Sequence, residues 1–151
     1  MPKKISRSSE DYLETIYVIN QRKGYARTND IAHELGIAAS SVTEMLQKLN
    51  SLDLVSYKKH APVTLTQKGA KLAKATKTRH DTLTKLLKII NVSDKIADSD
   101  ACKMEHELSS ETLEQLSKFV KFVESSSDCP KWLEHFKEYC ETGTWHCKQI
   151  K

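Results

Sequence analysis

Length, composition and charge exclude several classes of protein. The chain has 151 residues, of which 38% are hydrophobic and 29% are charged, a balance typical of a folded globular protein rather than of a disordered chain. No apolar run approaches the roughly 20 residues that cross a bilayer, and the first residues lack the apolar stretch of a secretory signal. We therefore expect a cytoplasmic protein of one or two small domains, without a membrane partner.

The charge is divided unevenly along the chain. Residues 1–80 contain 14 Lys and Arg against 7 Asp and Glu, a net charge of +7, whereas residues 81–151 have a net charge of −3. A basic first half is typical of a protein that binds a polyanion. We expect the first half to bind a nucleic acid and the acidic second half to have a separate task.

Three helices are predicted at the start of the chain. Apolar residues recur at helical spacing over about residues 9–22, and this helix ends near Gly24. A second, short helix ends at Gly36. A third helix is expected to be capped by Ser40 or Ser41.

A hairpin and a long helix follow. Residues 54–59 and 63–65 read as two strands, and the turn between them contains Pro62. Thr66 is expected to cap a helix over about residues 67–90.

Helices near 94–107, 110–124 and 130–141 complete the predicted elements.

The order of the elements in the first half of the chain predicts its fold. A short helix, a glycine-bearing turn, a second helix and a hairpin occur in the order of a winged helix-turn-helix. We therefore predict a mostly α fold, with a winged helix-turn-helix N-terminal domain and an all-α second half.

The winged helix is expected to bind duplex DNA through its third helix, the turn before its second helix, and its wing. Glu44 is an unusual candidate, because DNA repels a carboxylate unless the carboxylate accepts a hydrogen bond from the amino group of a cytosine. The alternative is that Glu44 forms an ion pair with Lys48 on the helix surface. A winged helix that binds another protein is the alternative for the whole domain, and the charge of +7 disfavours it. The candidate DNA-binding residues are Arg27, Thr28, Ala38, Ala39, Ser40, Ser41, Thr43, Glu44, Gln47, Lys48, Lys58 and Lys59, with His60 as a further phosphate contact.

The most suggestive chemistry lies in the acidic half. Cys102, Glu105 and His106 are spaced i, i+3 and i+4, which places them on one face of a helix. A thiolate, a carboxylate and an imidazole together make half of a metal coordination shell. A buried cysteine beside a solvated Glu and His is the alternative.

Three further residues have weaker evidence for a metal site. Asp11 and Glu14 share a face of the first helix, although Asp11 could instead form a capping box with Ser8 and Glu14 could be solvated. His80 lies in a basic stretch of the long helix, where a surface histidine is the alternative.

A resemblance to a known family connects these places. The matching stretches, in chain order between about residues 8 and 126, are residues 9–17, Asp30-Ile31-Ala32, residues 40–43, Leu65-Thr66-x-x-Gly69, Arg79-His80 and Cys102-x-x-Glu105-His106-x-Leu108-Ser109. With these stretches the chain resembles the diphtheria-toxin-repressor family, and especially its shorter manganese-transport-regulator branch. The resemblance implies a metal-activated repressor with a helical dimerisation domain, no enzymatic activity, and metal ligands Asp11, Glu14, His80, Cys102, Glu105 and His106.

Two departures from the family pattern bear on the choice of metal. Manganese-type members have a carboxylate where this chain has Cys102, whereas iron-type members have a cysteine there. Iron-type members have a methionine in place of Asp11, and they continue into a third, barrel-like domain that we do not expect in this protein. A thiolate is softer than Mn(II) prefers. We therefore expect Fe(II) as the activating metal and Mn(II) as the next choice.

Three more cysteines lie near the C-terminus. Cys129, Cys140 and Cys147, with His135 and His146 among them, could hold Zn(II) or an iron–sulfur cluster. Their spacing is wider than that of paired zinc motifs, and scattered cysteines without a ligand are the alternative.

These observations predict a homodimeric repressor that reads a pseudo-palindromic operator of metal-uptake genes and binds no RNA. The expected domains are a DNA-binding domain at residues 1–75, a metal-binding and dimerisation domain at 76–142, and a cysteine-containing tail at 143–151. A metal-independent winged-helix regulator, a metalloenzyme and a metal-storage protein are the alternatives.

Overall fold

The computed structural model describes residues 5–126 and 130–144. The chain divides into two compact units, Met1–Thr78 and Arg79–Lys151, and each is described by itself. Within the described ranges, none of the helices is long and apolar enough to cross a membrane.

The first unit is a winged helix-turn-helix, as predicted. It consists of three helices, a two-stranded antiparallel hairpin and the first part of a long helix. In chain order the elements are α1 (Arg7–Lys23), α2 (Thr28–Leu35), α3 (Ala39–Ser51), β1 (Val55–Ser56), β2 (Thr64–Leu65) and α4 (Gln67–Ile89).

The second unit contains the rest of α4 and three further helices, with no strand among its described residues. They are α5 (Asp94–Met104), α6 (Ser110–Glu124) and α7 (Lys131–Thr142). Ser109 caps α6 with its side chain, which accepts from the Thr112 backbone N–H. Mostly helical architecture with a small hairpin confirms the predicted fold class.

Several element ends differ from those predicted. Ser6 caps α1, because its extended backbone lets its side chain accept from the Ser9 N–H at 3.3 Å. The cap of α3 is Ala38, which offers no side-chain acceptor, so neither Ser40 nor Ser41 caps that helix. The strands are also shorter than expected, with two residues each.

The hairpin gains a third partner that the sequence did not reveal. Ala26 forms an isolated antiparallel bridge with Val63, whose N–H donates to the Ala26 carbonyl at 2.7 Å. The hairpin of β1 and β2, with the turn between them, is the wing of the winged helix. The bridge connects the segment before α2 to the second half of this wing.

The core of the first unit collects the apolar faces of its helices and hairpin. Helical periodicity predicted these residues in α1 and α3, since they recur every three or four positions. The fully buried members are Leu13, Ile16, Ile19, Ala26, Ile31, Val42, Leu46, Leu49, Val63 and Ala73.

The start of α4 packs closely against the backbone of the residues that follow α3. Thr66 caps α4 as predicted, because its Oγ1 accepts from the Gly69 N–H at 3.0 Å. The same hydroxyl donates to the Asp53 carbonyl at 2.8 Å. A Cβ at Gly69 would overlap the backbone carbonyl of Leu54, so only glycine permits this approach.

We predict that Gly69→Ala lowers the free energy of unfolding by about 2 kcal/mol, because the added methyl group must displace backbone rather than a flexible side chain. Urea unfolding followed by circular dichroism measures the loss. Lys71→Ala, an exposed position of the same helix, is the control and should change little. Equal stability of the two variants would contradict the close approach.

Candidate metal centre and nucleic-acid interface

The end of α5 places the central residues of the candidate metal centre. The helix was predicted to continue to residue 107 but ends at Met104. Glu105 keeps helical dihedral angles, and its N–H still donates to the Ala101 carbonyl at 3.0 Å. Cys102 and Glu105 therefore remain one turn apart, while His106 lies in the turn after the helix.

Glu105 is a buried carboxylate between two imidazoles. The residue is 1% exposed. Its Oε2 lies 3.2 Å from Nδ1 of His80, and its Oε1 lies 3.2 Å from Nε2 of His106. The structure thus brings three of the predicted ligands together within the second unit.

The two contacts of Glu105 are close approaches rather than hydrogen bonds. Within the described residues, both carboxylate oxygens are buried without a partner of hydrogen-bonding geometry. A carboxylate removed from water is costly unless a cation or a metal ion compensates its charge. Carboxylate oxygens and imidazole nitrogens also suit a first-row divalent ion. These residues therefore fit a metal ion.

His80 has a second acidic neighbour, Asp98, which is not among the ligands predicted from the sequence. Its Nε2 lies 3.1 Å from Oδ1 of Asp98, on α5. A histidine that binds metal through one nitrogen commonly donates from the other to a carboxylate, which fixes its ring. Asp98 precedes Cys102 by four residues, so helical spacing was the available clue.

Asp11 and Glu14 lie on α1 in the first unit, where both are half-buried. Because Ser6 is the N-cap, Asp11 does not occupy the position that a capping box requires. The capping explanation for Asp11 is therefore wrong, and its role as a ligand stays a prediction.

The cysteines are only partly described. Cys102 on α5 and Cys140 on α7 are both exposed, and neither forms a disulfide. Cys129 and Cys147 fall outside the described residues. The second metal or iron–sulfur site proposed for the C-terminal cysteines stays a prediction.

A groove of about 740 Å³ lies between the third helix and the wing of the first unit. Seven of the predicted DNA-binding residues line it: Arg27, Thr28, Ala39, Ser40, Thr43, Gln47 and Lys59. His60 also lines it, together with Asn29, Asn50, Tyr57 and Ala61. The other candidates, Ala38, Ser41, Glu44, Lys48 and Lys58, are not part of its lining.

Polar contacts around the N-terminus of α2 position Arg27 beside this groove. The Arg27 N–H donates to Oδ2 of Asp30 at 2.9 Å, and the same carboxylate pairs with the Lys23 ammonium at 2.7 Å. The hydrogen bond from Lys23 holds the pKa of Asp30 below its usual value. The Arg27 guanidinium lies 5.6 Å from the centre of the Tyr25 ring, a cation–π contact.

Two domain models of one protein family together match nearly all of the described residues. Residues 4–63 match the N-terminal DNA-binding domain of the iron-dependent repressors. Residues 66–134 match the metal-binding and dimerisation domain of the same family.

Individual relatives agree with this match. The HTH-type transcriptional regulator MntR of Lysinibacillus sphaericus (strain C3-41) is 39% identical over 86% of this chain and 94% of its own length. The structure of the manganese regulator SloR superposes with a TM-score of 0.66 at 32% identity, over 81% of this chain and 56% of that chain. A manganese-dependent transcriptional repressor complexed with manganese has a TM-score of 0.67 at 27% identity, over 76% of this chain and 53% of that chain.

This chain spans little more than half the length of those two structurally similar proteins, but it covers nearly all of the curated regulator. The match extends through both the winged helix and the helical unit that contains Glu105. The chain therefore belongs to the iron-dependent repressor family of metal-dependent transcriptional regulators.

Proposed function

We propose that this protein is a Mn(II)-activated repressor that binds operator DNA as a homodimer. The observation that supports this most directly is the buried Glu105 carboxylate between His80 and His106. A metal ion would compensate a charge that the surrounding described side chains leave without a hydrogen bond. The family supplies DNA binding and dimerisation, since its two domains carry those names.

The expectation of Fe(II) as the preferred metal is not supported, and Mn(II) fits better. Two of the structurally similar repressors are manganese regulators by name. The proposed ligand set also contains three carboxylates, from Asp11, Glu14 and Glu105, and oxygen ligands favour Mn(II). The softness of Cys102 led to the Fe(II) expectation, but it is one thiol beside three carboxylates.

The proposed ligands are Asp11 and Glu14 from the first unit and His80, Cys102, Glu105 and His106 from the second. Without metal, the carboxylates repel one another. A divalent ion would neutralise that repulsion and link α1 to the dimerisation domain, favouring an arrangement of the two DNA-binding domains that fits an operator. Thermodynamic linkage then requires operator DNA to tighten metal binding by the same factor.

The groove between α3 and the wing is the proposed DNA-binding surface. Hydroxyl and amide side chains of α3, such as Thr43 and Gln47, are suited to base edges in the major groove. Basic residues at its borders, Arg27 and Lys59, are suited to phosphates. A homodimer would present two such grooves to a pseudo-palindromic operator of metal-uptake genes.

A metalloenzyme remained an alternative from the sequence alone. The relatives are transcriptional regulators, which is a non-enzymatic role. We therefore propose a repressor without catalytic activity. The domain boundaries stay a prediction, with DNA binding proposed for residues 1–75, metal binding and dimerisation for 76–142, and a tail at 143–151.

We predict that Glu105→Gln abolishes Mn(II)-stimulated operator binding, because it keeps the shape of the buried side chain but removes the charge that a metal ion would compensate. His106→Ala should cause the same loss. Mobility-shift titration with and without Mn(II) measures it, and circular dichroism verifies the fold. Glu107→Gln makes the same chemical change at an exposed neighbour and should bind as the wild type does. Unaltered metal stimulation in Glu105→Gln would refute the assignment.

We predict that Cys102→Asp shifts the metal response towards Mn(II) and away from Zn(II), since an oxygen ligand replaces a thiolate. Operator binding is titrated anaerobically with each metal, and the ratio of the two midpoints is compared with that of the wild type. Gln115→Asp adds a carboxylate at an exposed position of α6 outside every proposed site and should leave the ratio unchanged. A ratio that Cys102→Asp does not move would exclude Cys102 as a ligand.

We predict that Arg27→Ala weakens operator binding and reduces the slope of log affinity against log salt by about 0.9, the contribution of one phosphate contact. Fluorescence anisotropy at several salt concentrations measures both quantities. Arg22→Ala removes the same charge from an exposed side chain that is paired with Glu34 and does not line the groove. Identical slopes in the two variants would place Arg27 outside the DNA contact.

A further inference from the structure

The wing reaches the groove through a short segment that is anchored at each end. Its tip contains Lys58, Lys59 and His60, and a turn closes it where the Ala61 N–H donates to the Lys58 carbonyl at 3.1 Å. His60 has φ +67°, a left-handed backbone conformation that residues other than glycine rarely adopt. The tip is thus bent sharply, and its position depends on the residues just before and after it.

The anchor after the tip is backbone pairing. Val63 donates to the Ala26 carbonyl at 2.7 Å. The anchor before the tip is different, because the pairing of β1 with β2 ends at Ser56 and Thr64. Tyr57 lies just beyond that pair, and its N–H donates instead to the side-chain Oδ1 of Asn50 at 3.0 Å.

Asn50 is well placed for this bond because of how α3 ends. The Leu54 N–H donates to the Leu49 carbonyl and the Asp53 N–H to the Asn50 carbonyl, with Asp53 at φ +57°. This is the Schellman arrangement, which reverses the chain immediately after a helix. The reversal carries β1 back beside the last turn of α3, within reach of the Asn50 side chain.

We infer that Asn50 is a positioning residue, which holds the start of the wing tip against α3. It thereby keeps Lys59 and His60 at the groove that faces the DNA. The inference rests on the proposed function, in that the groove is where DNA binds. Because a backbone N–H can only donate, the bond requires the amide oxygen of Asn50 to face Tyr57. Neither Asn50 nor Tyr57 can be singled out from the sequence, since only the folded hairpin brings them together.

Asn50 also lines the groove itself, so a direct contact between its amide NH₂ and DNA is the competing explanation. The two roles use opposite ends of the amide group. Positioning requires an acceptor for the Tyr57 N–H, whereas direct contact with phosphates or with guanine requires a donor. Substitutions that keep one end and remove the other separate them.

The test compares Asn50→Ala with Asn50→Asp at saturating Mn(II). Asn50→Ala should weaken operator binding about fivefold, the factor that corresponds to one ordinary net hydrogen bond. Asn50→Asp retains the acceptor, so the Tyr57 amide should exchange in this variant as it does in the wild type, whereas it should exchange faster in Asn50→Ala. A Tyr57 amide that exchanges as fast in Asn50→Asp as in Asn50→Ala would overturn the positioning role. Operator affinity is compared only between the wild type and Asn50→Ala, because the new carboxylate of Asn50→Asp is itself repelled by the phosphates.

A double-mutant cycle with Lys59→Ala provides the second criterion. If Asn50 acts by holding the wing, its loss should matter much less once Lys59 has been removed, so the two effects should not add. Full additivity would overturn the inference. Amide hydrogen exchange supplies a readout without DNA: the Tyr57 amide should exchange faster in Asn50→Ala and should be unchanged in Lys59→Ala.

These readouts separate the inference from the proposed function. A wild-type chain that does not bind operator DNA with Mn(II) would overturn the proposed function, whatever the exchange data show. A wild-type chain that binds, together with an Asn50→Ala variant of equal affinity or an unchanged Tyr57 amide, would overturn the positioning role alone.

Discussion

The candidate metal centre depends on one electrostatic constraint, the burial of the Glu105 carboxylate. Its two oxygens lie 3.2 Å from ring nitrogens of His80 and His106, and neither contact has hydrogen-bonding geometry. A charge held in this way is unfavourable unless a cation completes its surroundings. Under the proposed function, a divalent ion bound at this place would compensate the charge of the buried carboxylate.

Positioning residues recur in both units. In the second unit Asp98 contacts the far nitrogen of His80, which orients the ring towards Glu105. In the first unit Asp30 fixes the backbone of Arg27, and Asn50 fixes that of Tyr57. Asp98 and Asp30 each contact a residue with a proposed role, and Asn50 contacts the backbone that leads to Lys59. Under the proposed function, metal binding and DNA binding would both depend on groups that a second set of polar contacts holds in place.

The choice of metal illustrates how a single residue can mislead. Cys102 is a soft ligand, and considered alone it favours Fe(II) over Mn(II). The proposed set as a whole is dominated by carboxylates and imidazoles, and related repressors are manganese regulators. Metal preference follows from the whole coordination shell, in which one thiol shifts the balance without deciding it.

The sequence by itself determined the mostly α fold and the winged helix, because helical periodicity is a local property. It also singled out Glu105 and His106 as candidate ligands, through their spacing from Cys102 and through the family resemblance. Only the tertiary structure decided that α5 ends at Met104, that Ala26 pairs with Val63, and that Asp98 reaches His80. It likewise decided that Asn50 holds Tyr57. These contacts depend on which segments pack together, and neither propensity nor spacing along the chain records that packing.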